Sequence, residues 1–108
     1  MVTHAVRIIS PKELREFANQ YPEATAPLKA WSKLVRKNRF GSIVDLKRTF
    51  QSVDLVSIKR GNRRVDYFVF NIGGNKYRLV ATIHFNTQTL FVRDVLTHQA
   101  YDRDKWKR

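Results

Sequence analysis

The chain has 108 residues, 43% of them hydrophobic and 12% aromatic, which supports one domain over residues 1–108 with a small core and excludes a disordered chain. Lys and Arg number 21 against 9 Asp and Glu, a formal net charge of +12, so the expected partner is a polyanion: nucleic acid first, then an acidic membrane surface or an acidic protein. No apolar run reaches the ~18 residues of a membrane span. The first residues lack a signal peptide's basic start and apolar core. The lack of cysteine excludes disulfides and thiolate zinc sites, and a cytoplasmic protein fits all of this.

Residues 3–9 alternate weakly and read as a first strand. Ser10 is placed to cap a helix, with Pro11 at its first position and Glu13 completing a capping box. Leu14, Phe17 and Tyr21 share one face of that helix, and Tyr21-Pro22 ends it. A second helix spans about residues 24–37, with Pro27 in its first turn. Leu28, Trp31, Leu34 and Val35 form its apolar stripe, while Lys29, Lys33, Arg36 and Lys37 face water. Ser42 opens a short helix or turn that runs to Phe50. From Val53 onward the pattern is β. Leu55, Val56 and Ile58 make a short strand, and residues 59–64 a basic turn. Residues 67–72 form a nearly continuous apolar strand, as expected of one covered on both faces. Residues 77–85 alternate, 86–88 turn, and 90–96 form the last strand. Thr97 or His98 caps a helical turn through Trp106. The fold class is α+β, helices first, on a small antiparallel sheet.

Gly73-Gly74 is a two-residue hairpin signal, because glycine takes φ > 0 freely. A two-residue loop there sets Ile72 opposite Asn75 and Val69 opposite Arg78. A similar loop at Thr87-Gln88 sets Asn86 opposite Thr89, Thr82 opposite Arg93 and Arg78 opposite Thr97. Strand alternation then gathers Lys76, Arg78, Thr82, His84 and Arg93 on one face. Tyr77, Leu79, Ala81, Ile83 and Phe85 take the other, against the helices. The expected sheet has an apolar back and a cationic front.

Lys76, Arg78 and Arg93 can bind a phosphodiester and stabilise charge on its oxygens. The bland alternative is a solvated strand face. His98 and Tyr101 lie three apart, on one side of a helix that leaves the last strand beside Arg78. Histidine suits proton transfer near neutrality, and tyrosine can donate a proton. The alternative is a cap with a packed aromatic. His84 reads as an exposed strand histidine. His4, His84 and His98 have no metal-ligand spacing, and the acidic residues show no two-metal motif. No glycine-rich phosphate loop opens a helix. Metal-independent, cofactor-free phosphodiester cleavage remains. In RNA the 2′-OH is the internal nucleophile, so the protein need supply only an acid, a base and cations.

Residues 70–79 (Phe-Asn-Ile-Gly-Gly-Asn-Lys-Tyr-Arg-Leu), then Phe91-Val92-Arg93, then Thr97-His98-Gln99-Ala100-Tyr101-Asp102, resemble the HigB family of bacterial toxins. Trp31 and Val53-Asp54 also fit its pattern. Asp94, where a neutral residue is expected, departs from it and would pair with Arg93 or sit on the back of the sheet. The resemblance covers nearly the whole chain. It implies a RelE-like microbial ribonuclease fold, with two N-terminal helices packed on a small antiparallel sheet. It implies the toxin of a type II toxin–antitoxin module, an mRNA interferase acting on translating ribosomes. A HigA-type helix-turn-helix antitoxin would neutralise it, and operator DNA would be met only through that antitoxin. On this reading Lys76 and Arg78 hold the scissile phosphate, with Arg93 in support. His98 is the first choice for general acid or base and Tyr101 the second. Asn75 orients a phosphate or base. Lys59, Arg60, Arg63 and Arg64, with His84 and the helix cations, contact RNA backbone. Two other classes remain open at this stage: a non-catalytic RNA- or ribosome-binding module, and a protein that uses its basic face only to bind an acidic partner.

Overall fold

A computed structural model describes residues 5–9 and 12–107, except the side chain of Lys105. The expected cap at Ser10 and Pro11, and His4, lie outside the described residues. Strand β1 is short, Arg7–Ile9. Helix α1 covers Lys12–Gln20, and a 3-10 turn at Pro22–Ala24 leads into α2, Thr25–Arg36. Helix α3 is Ile43–Thr49. Four strands follow: β2 Asp54–Arg60, β3 Arg63–Ile72, β4 Tyr77–His84 and β5 Thr89–Thr97. Helix α4, His98–Asp102, and a 3-10 turn, Lys105–Lys107, close the described chain. The architecture is mixed α and β, as expected.

The five strands form one sheet in the order β1-β5-β4-β3-β2. The sheet is not wholly antiparallel. Strand β1 runs parallel to β5, with Ile8 opposite Leu90, while the other three pairings are antiparallel. The long excursion through α1, α2 and α3 makes the parallel edge possible, because a parallel pair needs a crossover.

The helices cover one face, here the back. Trp31 of α2 meets Phe70 edge-on at 5.3 Å between ring centroids, and Phe50 meets it at 5.1 Å. Phe17 of α1 meets Tyr77 at 5.4 Å. Leu28, Trp31 and Val35 recur at helical spacing and are buried. Leu34 is not part of that stripe. It lies about 60° beyond Trp31 around a 3.6-residue helix and is 40% exposed. Asp45 accepts a hydrogen bond from Gly41 N at 2.9 Å and so helps to start α3; Ser42 makes no side-chain cap.

Both hairpin registers differ from expectation. Ile72 pairs with Tyr77 across a four-residue turn, so Asn71 opposes Arg78 and Phe70 opposes Leu79. The turn takes Gly73 at φ 62° and Gly74 at φ 71°, then spends Asn75 and Lys76 as well. Asn75 is diverted from the ladder because its carbonyl and amide oxygens both face the Arg78 guanidinium. Lys76 is therefore a turn residue, not the start of a strand. At the second turn, His84 pairs with Thr89. Buried Gln88 takes φ 51° there and ties the turn to the α2–α3 loop, accepting from Phe40 N at 2.9 Å and donating to Phe40 O. A bulge in β5 then leaves Arg93 unpaired, so Arg78 opposes Leu96, not Thr97. At the basic turn only Gly61 and Asn62 lie outside the strands; Arg60 pairs with Arg63 and Lys59 with Arg64.

Each hairpin shift moves pairing by two residues, which preserves the faces. Tyr77, Leu79 and Ala81 point to the back, and Arg78 and Thr82 to the front. The front is not simply cationic. Val69 and Val80, directly paired on the Arg78 side, are buried.

Candidate active site at the turn–helix corner

The β3–β4 turn and the start of α4 meet at one corner of the sheet. His98 N donates to Lys76 O at 2.9 Å, joining the two segments. Thr97 caps α4, its hydroxyl accepting from Ala100 N at 3.1 Å. This short cap fixes where His98 and Tyr101 leave the backbone.

On the front flank, Arg78 is only 9% exposed. Its Nη2 donates to Asn75 Oδ1 at 2.6 Å, and its Nη1 to Tyr77 O at 3.1 Å and Asn75 O at 3.4 Å. The guanidinium lies 5.8 Å from the centroid of the Tyr101 ring. Five N–H donors minus these three bonds leave donors free for a ligand. Burial pushes the Tyr101 phenol above its ordinary pKa. The Asp54 carboxylate adds to the rise, and Arg78 opposes it. Tyr101 is thus a protonated donor at neutral pH.

On the other flank lies a cleft of about 490 Å³, lined by Lys76, His98, Gln99 and Asp102 and walled by Tyr21, Glu23, Tyr77 and Thr97. His98 Nε2 lies 3.0 Å from Asp102 Oδ2, a contact that orients the ring. Lys76 is exposed in this cleft. His98 and Tyr101 therefore do not share one side. Helix α4 sits at the end of the sheet, where adjacent positions on its circumference fall on opposite sides. Tyr101 joins Arg78 on the front, and His98 joins Lys76 in the cleft.

The remaining expected residues are dispersed. Arg93 Nε donates to Thr82 Oγ1 at 3.0 Å, so the two do meet, although the bulge makes Phe91 the strand partner of Thr82. The Arg93 guanidinium lies 5.2 Å from the centroid of the Phe91 ring, and His84 meets the same ring at 5.4 Å. Arg93 and His84 thus form a group around Phe91, toward the other end of β4. Asp94 is on the front, opposite Val80, not on the back. Its carboxyl pKa is raised by burial, partly offset by the Val95 backbone hydrogen bond, with a further rise from Glu13. Lys59, Arg63 and Arg64 are exposed on the β2–β3 hairpin, and Arg60 stands 5.7 Å from the centroid of Tyr67.

Sequence reasoning missed three contributors. Asp102 lies four residues after His98, a helical spacing that was legible. Tyr67 is on the Arg78 face by simple alternation. Trp106 stacks on Tyr101 at 5.4 Å and meets Tyr67 edge-on at 5.8 Å. Nothing local in the sequence says that the C-terminal turn folds back over β3. Among the described residues, no group of three His, Asp or Glu could hold a metal ion. No helix among them is long and apolar enough to cross a membrane.

Residues 24–104 match the model of the HigB toxin family, described as the RelE-like toxic component of a toxin–antitoxin system. The mRNA interferase toxin HigB of Escherichia coli strain K12 is 34% identical over 97 residues, covering 90% of this chain and 88% of that protein. The mRNA interferase HigB of Shigella flexneri matches to the same extent. The mRNA interferase HigB of Escherichia coli O6:H1 is 26% identical over 98 residues, covering 91% of this chain and 90% of its own.

Proposed function

We propose a mechanism from one premise: this chain belongs to the HigB family, the RelE-like toxic component of a toxin–antitoxin system. The chain is an mRNA interferase, an endoribonuclease that cleaves messenger RNA. It works in the cytoplasm on translating ribosomes, and a HigA-type antitoxin neutralises it. Residues 1–108 act as one unit of the RelE-like ribonuclease fold, with α1 and α2 as its two packing helices. The observation that carries the catalytic reading is the corner where the β3–β4 turn meets α4.

There, Lys76 and the free donors of Arg78 hold the scissile phosphate and stabilise the charge that builds on its oxygens. The 2′-OH attacks the adjacent phosphorus, and the 5′-oxygen leaves. His98, oriented by Asp102, takes the 2′-OH proton. Tyr101 donates a proton or hydrogen bond to the leaving oxygen, as its raised pKa suits. Asn75 fixes Arg78 and does not itself read the RNA. Arg93 and His84, around Phe91, contact the strand leading away from the cleavage point, and Lys59, Arg60, Arg63 and Arg64 add salt-sensitive backbone contacts.

Induction of Arg78→Ala and His98→Ala, with and without ongoing translation, tests this. Each variant should abolish growth arrest and mRNA cleavage while the protein stays folded. Cleavage at the wild-type rate by both would leave only a binding module.

A further inference from the structure

A second concavity lies on the helix side of the sheet, away from Arg78. Helices α1 and α2 leave a groove of about 820 Å³ between them. Leu14, Ala18 and the buried Leu28 supply its apolar surface. Six cations line it: Lys12 and Arg15 from α1, and Lys29, Lys33, Arg36 and Lys37 from α2 and its cap. The groove's one carboxylate, Glu16, is already paired with Lys12 at 3.5 Å.

We propose that this groove docks an acidic, amphipathic helix of the protein that neutralises the toxin. The proposal rests on the family reading above and adds to it a surface and the chemistry of what covers it. A third helix can lay aliphatic side chains onto Leu14, Ala18 and Leu28, because two helices side by side present ridges that a third can match. Its flanking Asp and Glu residues then meet the basic rim on both sides. RNA satisfies only half of this surface. It offers phosphates to the rim but no aliphatic side chain to the trough, whose desolvation would go uncompensated. A second copy of this chain would set two basic rims together, each on a molecule of charge +12.

The test compares two triple charge reversals that change net charge equally. One replaces Lys29, Lys33 and Arg36 with Glu in the groove, and the other replaces Lys59, Arg63 and Arg64 with Glu in the β2–β3 hairpin. All six side chains are exposed, so both variants should fold, as circular dichroism would verify. The probes are the antitoxin encoded beside the toxin gene and a short single-stranded RNA, each titrated calorimetrically. Groove reversal should weaken antitoxin binding by about 100-fold and RNA binding by less than about threefold, with the opposite order for the hairpin. Ala18→Trp should also weaken the antitoxin by filling the trough without changing charge. Antitoxin affinity unchanged by both groove variants would overturn the proposal. Loss of RNA binding alone would assign the groove to RNA, and loss of a self-association would assign it to a second copy; either overturns it. These are binding readouts, so they stand whether or not the corner is catalytic. Undiminished cleavage by Arg78→Ala would refute the catalytic reading alone.

Discussion

The two front-side hairpins are made of similar parts and end up in different states. The β2–β3 hairpin turns through Gly61-Asn62 and carries Lys59, Arg60, Arg63 and Arg64. The β3–β4 hairpin turns through Gly73-Gly74 and carries Lys76 and Arg78. In both, glycine supplies the positive φ. At the first, charge is dense and mostly exposed, with one guanidinium set against Tyr67. At the second there is less charge, but Arg78 is buried and fixed by two oxygens of Asn75, the Tyr77 carbonyl and the Tyr101 ring. Charge density alone therefore does not mark a reactive centre. A cation held rigidly beside a proton donor can stabilise a transition state, whereas mobile exposed cations chiefly attract a polyanion.

The largest expected break in this contrast is Arg78→Ala, which should lower kcat/KM for RNA cleavage about 10²- to 10³-fold. Arg78→Lys should do nearly as badly, because an ammonium cannot span the three oxygens as a planar fork does. Next is Tyr101→Phe. It keeps the ring over Arg78 but loses the hydroxyl, and should cost about 10²-fold in kcat. In the wild type the raised phenol pKa keeps the proton in place through neutrality. Activity should fall only as pH rises past the ordinary tyrosine range, and the variant should lack that limb. At the other hairpin, Lys59, Arg63 and Arg64 changed together to Ala should leave kcat unchanged. The salt dependence of single-stranded RNA binding should flatten by about 2 in log–log slope, near 0.7 per contact.

The smallest effect concerns Asp94. Its raised pKa means that the folded state holds the proton more tightly than the unfolded chain. That contribution to stability is complete below the ordinary aspartate pKa and is lost as pH rises through the folded value. Asp94→Asn should therefore raise Tm by about 2 °C at neutral pH, with the gain vanishing in acid.

Alternation made the faces legible, and turn geometry hid the contacts. Tyr77 and Leu79 belong to the back and Arg78 to the front whether Ile72 pairs with Asn75 or Tyr77, because the two registers differ by an even number. The same tolerance let the turn at Gly73-Gly74 be drawn two residues too short, which misplaced Lys76. The bulge at Arg93 has no glycine or proline to announce it. Strand β1 is only three residues long, and its parallel pairing depends on where three intervening helices deliver it. The cover over Tyr101 was illegible for a similar reason: Trp106 reaches Tyr67 across many residues of sequence. Arg78 and Tyr101 could be nominated from residue type, but their meeting depends on that packing.

The most direct test of the corner site is the chemistry of the ends of mRNA fragments made in a translating extract. Attack by the 2′-OH, with Lys76, Arg78, His98 and Tyr101 in the roles given, leaves a 5′-hydroxyl and a 2′,3′-cyclic or 3′-phosphate. These ends should disappear with Arg78→Ala. Fragments bearing 5′-phosphate and 3′-hydroxyl ends, or unchanged cleavage by Arg78→Ala, would contradict it.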